Sequence, residues 1–146
     1  MTKRVIAIGP DKPIYNERTA TEAITPGMLV NSVASGTVEM NDLTGDGNGM
    51  VEVAVENDIF GKGLDDAYAA NDTVISQLLT PGCEFNGLVP SGSLGGANVI
   101  VYDDYITSYA GGLLAKGTRA NAIAMAREAL DNSGGSAAAR LRVVVI

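Results

Sequence analysis

The chain has 146 residues, of which 46% are hydrophobic and 18% charged; it carries a net charge of −7 and no histidine. That balance fits one globular domain and excludes a disordered chain. The acidic excess leaves no clustered cations for nucleic-acid phosphates or an anionic membrane, and the missing histidines remove the commonest general base and metal ligand together.

Eighteen glycines and five prolines argue against a helical bundle, because an interior glycine costs about 1 kcal/mol relative to alanine. An all-β fold needs such residues at its turns. A single cysteine, Cys83, forms no intrachain disulfide, so the fold does not depend on an oxidising compartment. The apolar run Val5 to Ile8 is shorter than the roughly 7–15 residues of a signal sequence. No run approaches the roughly 18–20 residues of a membrane span. Synthesis in a cytoplasm follows as the expectation, with no membrane partner.

The first expected strand covers residues 4–8. Residues 9–23 are polar, hold Pro10 and Pro13, and end in Glu17-Arg18-Thr19-Ala20-Thr21-Glu22. They read as an extended N-terminal arm (1–23) that packs on its own domain or on a neighbour. Residues 24–146 then form a single β-rich domain. Thr25-Pro26-Gly27 and Thr80-Pro81-Gly82 each suit a type II turn that opens a strand, with Pro at the second and Gly at the third position.

Further strands are expected at 28–33 and 36–41. From Met50 to Val55 apolar and other residues alternate, with Val51, Val53 and Val55 opposite Glu52, Ala54 and Glu56. Strands also fit 73–79, 84–89 and 98–103. The segment Asn121 to Leu130 has helix-forming residues but also alternates, Ile123 and Met125 against alanines, and stays open between helix and strand. Arg140 to Ile146 is the clearest strand, with Leu141, Val143 and Val145 on one face. The layout is all-β with little helix, a small β-barrel or β-sandwich.

Few constellations could carry chemistry. Asp42-Leu43-Thr44-Gly45-Asp46-Gly47-Asn48 resembles the start of a calcium loop, which nominates Asp42, Asp46 and Asn48. The match fails at its twelfth position, Val53, where a bidentate Glu belongs. A Gly-rich hairpin loop between strands 36–41 and 50–56 accounts for the string as well. Cys83 has no histidine to activate it and reads as a small buried hydrophobe. Asp65-Asp66 and Asp103-Asp104 are neighbours whose side chains diverge on a strand, so they read as solvated turn residues. Ser91-Gly92-Ser93 lacks the strand-turn-helix frame of a nucleophile elbow. Tyr102, Tyr105 and Tyr109 lie near acids and fit core edges or protein contacts. No catalytic residue, cofactor or enzymatic activity is expected.

The order of several strings resembles the small capsid decoration (cement) proteins of tailed bacteriophages. They are Ile24-Thr25-Pro26-Gly27-Met28-Leu29-Val30, Asp65-Asp66-Ala67-Tyr68 with Asn71-Asp72-Thr73-Val74, the second Thr80-Pro81-Gly82, and Gly111-Gly112-Leu113-Leu114-Ala115-Lys116-Gly117-Thr118. Ala122 to Asp131 before a last strand completes the set. The resemblance implies a β-barrel or β-sandwich on the outer capsid surface of a virion. There it would bind the major capsid protein and stabilise contacts between its subunits, usually as a homotrimer at threefold positions and sometimes as a homodimer. It also favours a strand over 121–130. Pro10, Pro13, Ile14 and Tyr15 in the arm are the expected capsid or subunit contacts. The alternative is a β-sandwich adhesion or carbohydrate-binding module with a weak cation site at 42–48. The absence of tryptophan weighs against it.

Overall fold

The computed structural model describes residues 4–33, 35–45 and 50–146. Its strands are β1 (Ile6–Ile8), β2 (Ile14–Ala20), β3 (Val30–Val33), β4 (Thr37–Met40), β5 (Val51–Ala54), β6 (Thr73–Leu79), β7 (Glu84–Val89), β8 (Val99–Ile100), β9 (Tyr105–Tyr109), β10 (Leu113–Lys116), β11 (Ala124–Ala126), β12 (Leu130–Asp131) and β13 (Ala139–Val145). Two short 3-10 turns, Asp58–Phe60 and Arg119–Asn121, are the helical elements among the described residues.

The strands form a sandwich. A six-stranded sheet runs β1-β7-β13-β11-β9-β10, and a five-stranded sheet runs β3-β4-β2-β6-β5. A small ribbon pairs β8 with β12. The five-stranded sheet curls but forms no continuous ladder between its end strands, which a single isolated bridge between Leu29, just before β3, and Val53 of β5 brings together. The fold is therefore the sandwich of the two expected architectures. Pairing is antiparallel except between β2 and β4.

Alternation explains where the core sits. The six-stranded sheet turns Phe85, Val89, Leu141, Val143, Val145, Ile106 and Leu114 inward, and the five-stranded sheet answers with Val51, Val53 and Leu79. A fully buried side chain of this size is worth about 1.5–3 kcal/mol. A second, smaller core fills the outer, concave face of the curled sheet. It holds Ala20, Ile24, Val30, Val38, Ala54, Tyr68 and Val74. The segment around Ile24 and Tyr68, joined by a bridge, covers it. The Tyr68 hydroxyl donates to the Val55 carbonyl at 2.8 Å, and burial pushes its pKa up.

Both Thr-Pro-Gly strings turn as expected. Met28 N–H donates to the Thr25 carbonyl at 3.0 Å, and Cys83 N–H to the Thr80 carbonyl at 3.1 Å. Gly27 and Gly82 sit at φ +97° and +93°, which a type II turn requires of its third residue. Arg140 clasps the first turn: its guanidinium donates to the carbonyls of Pro26 (3.0 Å) and Leu64 (2.6 Å) and to Asp65 Oδ1 (3.0 Å). This arginine reaches from the six-stranded sheet to two loops of the other layer.

Three expectations change, and the segment left open between helix and strand is decided. Within the expected arm, residues 4–23 are not set apart from the fold: Ile14–Ala20 is an inner strand of the five-stranded sheet, paired with β6 from Ile14 to Thr19. Residues 121–130 hold no α-helix; the backbone takes a 3-10 turn and then β11, because Ala124 and Ala126 are small enough to lie under the core. The strands on either side of the expected hairpin loop do not pair with each other: β4 pairs with β3 and β2, and β5 pairs with β6. The strand expected at 98–103 shortens to Val99–Ile100, and Asp103, at φ +66°, turns the chain into β9.

Gly27 has no room for a side chain. A Cβ there would lie 2.6 Å from Arg140 Nη1 and 2.8 Å from the Asn86 carbonyl oxygen. Gly27→Ala should therefore destabilise the fold by about 1–3 kcal/mol, read as a lower urea midpoint. Gly92→Ala, with a similar φ of +92° but open space around it, should cost less.

Candidate functional site

β1 lies at the edge of the six-stranded sheet and pairs only with β7. Pro10 and Pro13 then carry the chain across to the other layer. A proline has no N–H for a ladder, so β1 stops before the pair and β2 starts after it. Two contacts fix the opposite wall: Arg4 pairs with Asp58 at 3.1 Å, and Val5 N–H donates to Glu56 Oε2 at 3.2 Å.

Between these walls lies an open groove of about 580 Å³, within the range of ligand-sized clefts, about 300–1,000 Å³. Ile6, Val55, Ile75 and Gln77 floor it, and Pro10, Pro13, Tyr15, Glu17 and Ile59 rim it. Tyr15 is 57% exposed, while Ile59 and Phe60, on the 3-10 turn after Glu56, are 82% and 78% exposed. Exposed apolar side chains thus gather beside this concavity.

The groove exists because β2 has two different faces. Ile14, Asn16 and Arg18 point to the outer face, where they meet a buried carboxylate. Glu52 Oε1 accepts from Arg18 Nη1 (2.7 Å), Asn16 Nδ2 (3.0 Å) and Ser76 Oγ (2.6 Å). The Glu52 side chain is 9% exposed and that of Arg18 22%. Tyr15 and Glu17 point inward, beyond the reach of the six-stranded sheet, and so face the groove.

The strand also keeps an open edge. Ala20 exchanges both its backbone bonds on the β6 side, with Asp72 O (2.8 Å) and Asn71 N (2.9 Å), whereas Thr21 N–H donates to Val38 O on the β4 side (3.0 Å). Alternation along an antiparallel ladder turns the backbone of Ile14, Asn16 and Arg18 toward β6 and that of Tyr15 and Glu17 away from it. Along β2, β4 pairs with Thr19 and Ala20 alone among the described residues. Among the described residues, no backbone bond to another segment satisfies Tyr15 or Glu17 on that side.

Three of the four expected contact residues, Pro10, Pro13 and Tyr15, thus meet at one groove. Ile14 is 58% exposed but lies on the opposite face of β2. Ile59 and Phe60 escaped the sequence reading. Their signal is a pair of large apolar residues between Asp58 and Gly61, in a turn where no strand period asks for them.

The other candidates find structural roles. Asp42 Oδ1 accepts from Gly111 N–H at 3.0 Å, and Thr44 Oγ1 accepts from Ala110 N–H at 3.2 Å. These bonds pin the loop to the turn between β9 and β10. Asp46 and Asn48 lie outside the described residues. Cys83 is buried. Asp65 is solvated and pairs with Arg140. Asp104 accepts from Val101 N–H at 2.9 Å and pairs with Lys116 at 2.8 Å. Burial opposes ionisation there, but the Lys116 hydrogen bond, the Val101 N–H and the Lys116 charge together hold the Asp104 pKa below its usual value.

No family model matches the sequence, and no curated protein matches it. Among solved structures, the chain is similar to the N base of the head fiber gp8.5 of bacteriophage phi29. The match has a TM-score of 0.59, covers 92% of this chain and 95% of that one, and shows 10% sequence identity. At that identity the likeness is one of fold.

Two outcomes follow from these contacts. Arg18→Met should strand the Glu52 carboxylate and cost about 3 kcal/mol, while Arg18→Met with Glu52→Leu should recover most of that loss, both by urea unfolding. Asp104→Asn should cost at most about 1 kcal/mol at pH 7, because Lys116 is largely solvated. Because the folded pKa is depressed, the Asp104 contribution is complete above the ordinary aspartate pKa near 4 and disappears as pH falls through the lower folded value. The difference between wild type and variant should therefore shrink as pH falls below the ordinary aspartate range.

Proposed function

We propose that this chain is a structural component of a bacteriophage particle: a decoration protein that binds the outer surface of the capsid shell and stabilises contacts between major capsid subunits. In this reading it is non-enzymatic and assembles as a homo-oligomer, a trimer at threefold positions. The observation that carries the reading is the likeness to the phi29 head fiber base over nearly the full length of both chains. The order of motifs through residues 24–146 points the same way.

The physical chemistry suits the role. Many copies, each contributing a few kcal/mol, reinforce a shell through multivalency. A net charge of −7 keeps such a protein off the packaged DNA. Tyr15, with Pro10 and Pro13 beside it and Ile14 on the other face of the strand, is the proposed contact with the shell or a neighbouring subunit. Aromatic anchors of this kind dominate the energetics of protein interfaces.

Removing residues 1–18 would delete most of β2 and so test folding more than binding. Co-sedimentation with undecorated heads of the parent phage, using the intact chain, is the direct measurement. The wild type should pellet with heads at a saturating stoichiometry. Tyr15→Ser should weaken binding about tenfold, as loss of one interface anchor does, without lowering the melting temperature. A wild type that stays in the supernatant at every concentration would overturn the proposal.

A further inference from the structure

Resting on that reading, we infer that the shell protein docks by adding an extended segment to the open edge of β2. A cationic side chain of that segment would pair with Glu17, and an apolar one would enter the groove beside Tyr15.

The backbone supplies the first argument. Tyr15 and Glu17 each turn an N–H and a carbonyl away from β6, next to the point where the β4 pairing ends. An unpaired edge of this kind is a template for another strand. The side chains of the same two residues line the groove. A strand added to this edge would therefore place every second side chain of its own over the groove.

Charge chooses the occupant. The groove holds three carboxylates, Glu17, Glu56 and Asp58, and one guanidinium, Arg4. Arg4 is engaged by Asp58, and Glu56 accepts from Val5 N–H. Glu17 has no ion-pair partner among the described residues. Opposite charges directly across a ladder are favourable, and like charges are not.

A second copy of this chain does not supply the missing cation. Antiparallel self-pairing centred on Asn16 sets Glu17 against Tyr15 of the other copy. Centring on Glu17 sets carboxylate against carboxylate, and centring on Tyr15 sets Glu17 against Pro13. The cations at this chain's other sheet edges, Arg4 beside β1 and Lys116 on β10, are already paired with Asp58 and Asp104, so the fitting partner is a different chain, with an extended segment that carries a lysine or arginine two residues from an apolar side chain.

Three measurements on the full chain with undecorated heads test this: co-sedimentation of wild type, Glu17→Lys and Glu39→Lys, hydrogen exchange at Tyr15 and Glu17, and sedimentation of the free protein. Glu39 lies exposed on β4 and controls for the change in net charge. Glu17→Lys should weaken binding about tenfold or more, and Glu39→Lys by less than about twofold. Glu17→Gln, a milder change, should fall between them, and its melting curve separates binding from folding. The Tyr15 and Glu17 amides should exchange freely in the unbound protein and become protected on heads.

If the wild type binds but Glu17→Lys matches Glu39→Lys and both amides keep exchanging, the docking inference is overturned and the proposed function stands. If the amides are already protected in the free protein, in step with self-association, the edge belongs to another copy and the inference is again overturned. If the wild type does not bind heads, the proposed function itself fails, and the shell is removed as the occupant.

Discussion

The structure depends on a strand that is buried on both faces. β5 gives Val51 and Val53 to the core between the sheets and Ala54 to the smaller core behind. Glu52, on that second face, brings a carboxylate into a place where an unpaired charge would cost several kcal/mol. Arg18, Asn16 and Ser76 converge on it. That requirement reaches across β6 and settles what β2 does with one of its faces.

The rest of β2 follows from this commitment. Its outward side chains serve Glu52, so its inward ones are left for something else. The six-stranded sheet does not extend over them, because β1 ends at Ile8 and the two prolines lead the chain away. What remains is a short strand with one satisfied edge, one edge left open among the described residues, one structural face and one face toward a groove. The candidate site is the side of β2 that folding leaves unused.

Much of the fold could be read from residues close together in the chain. β6 and β7 fall on the expected 73–79 and 84–89, because strand period and turn chemistry are local signals. Both Thr-Pro-Gly turns were legible for the same reason. β2 was not, since Ile-Tyr-Asn-Glu-Arg-Thr-Ala shows no apolar alternation. Its polar side chains answer to Glu52, 34 residues from Arg18, and to a groove built from distant segments. β9 was hidden in a similar way, for Thr107 and Ser108 are polar and buried, and Thr107 donates to the Asn121 carbonyl. At Ala124 to Ala126 the sandwich core overrode helix propensity, as tertiary context commonly does. β4 and β5 were expected to pair as a hairpin, but each finds its partners elsewhere in the sheet.

The long ladder between β2 and β6 also decides how the molecule would carry a load. It runs through six consecutive register pairs, Ile14 with Leu78 to Thr19 with Thr73. A tug along the strand axis acts on all of these pairs at once, in shear. A tug at right angles would open them one after another, like a zipper. β2 is therefore anchored best against a force directed along its own axis, and least against one that lifts it away from β6.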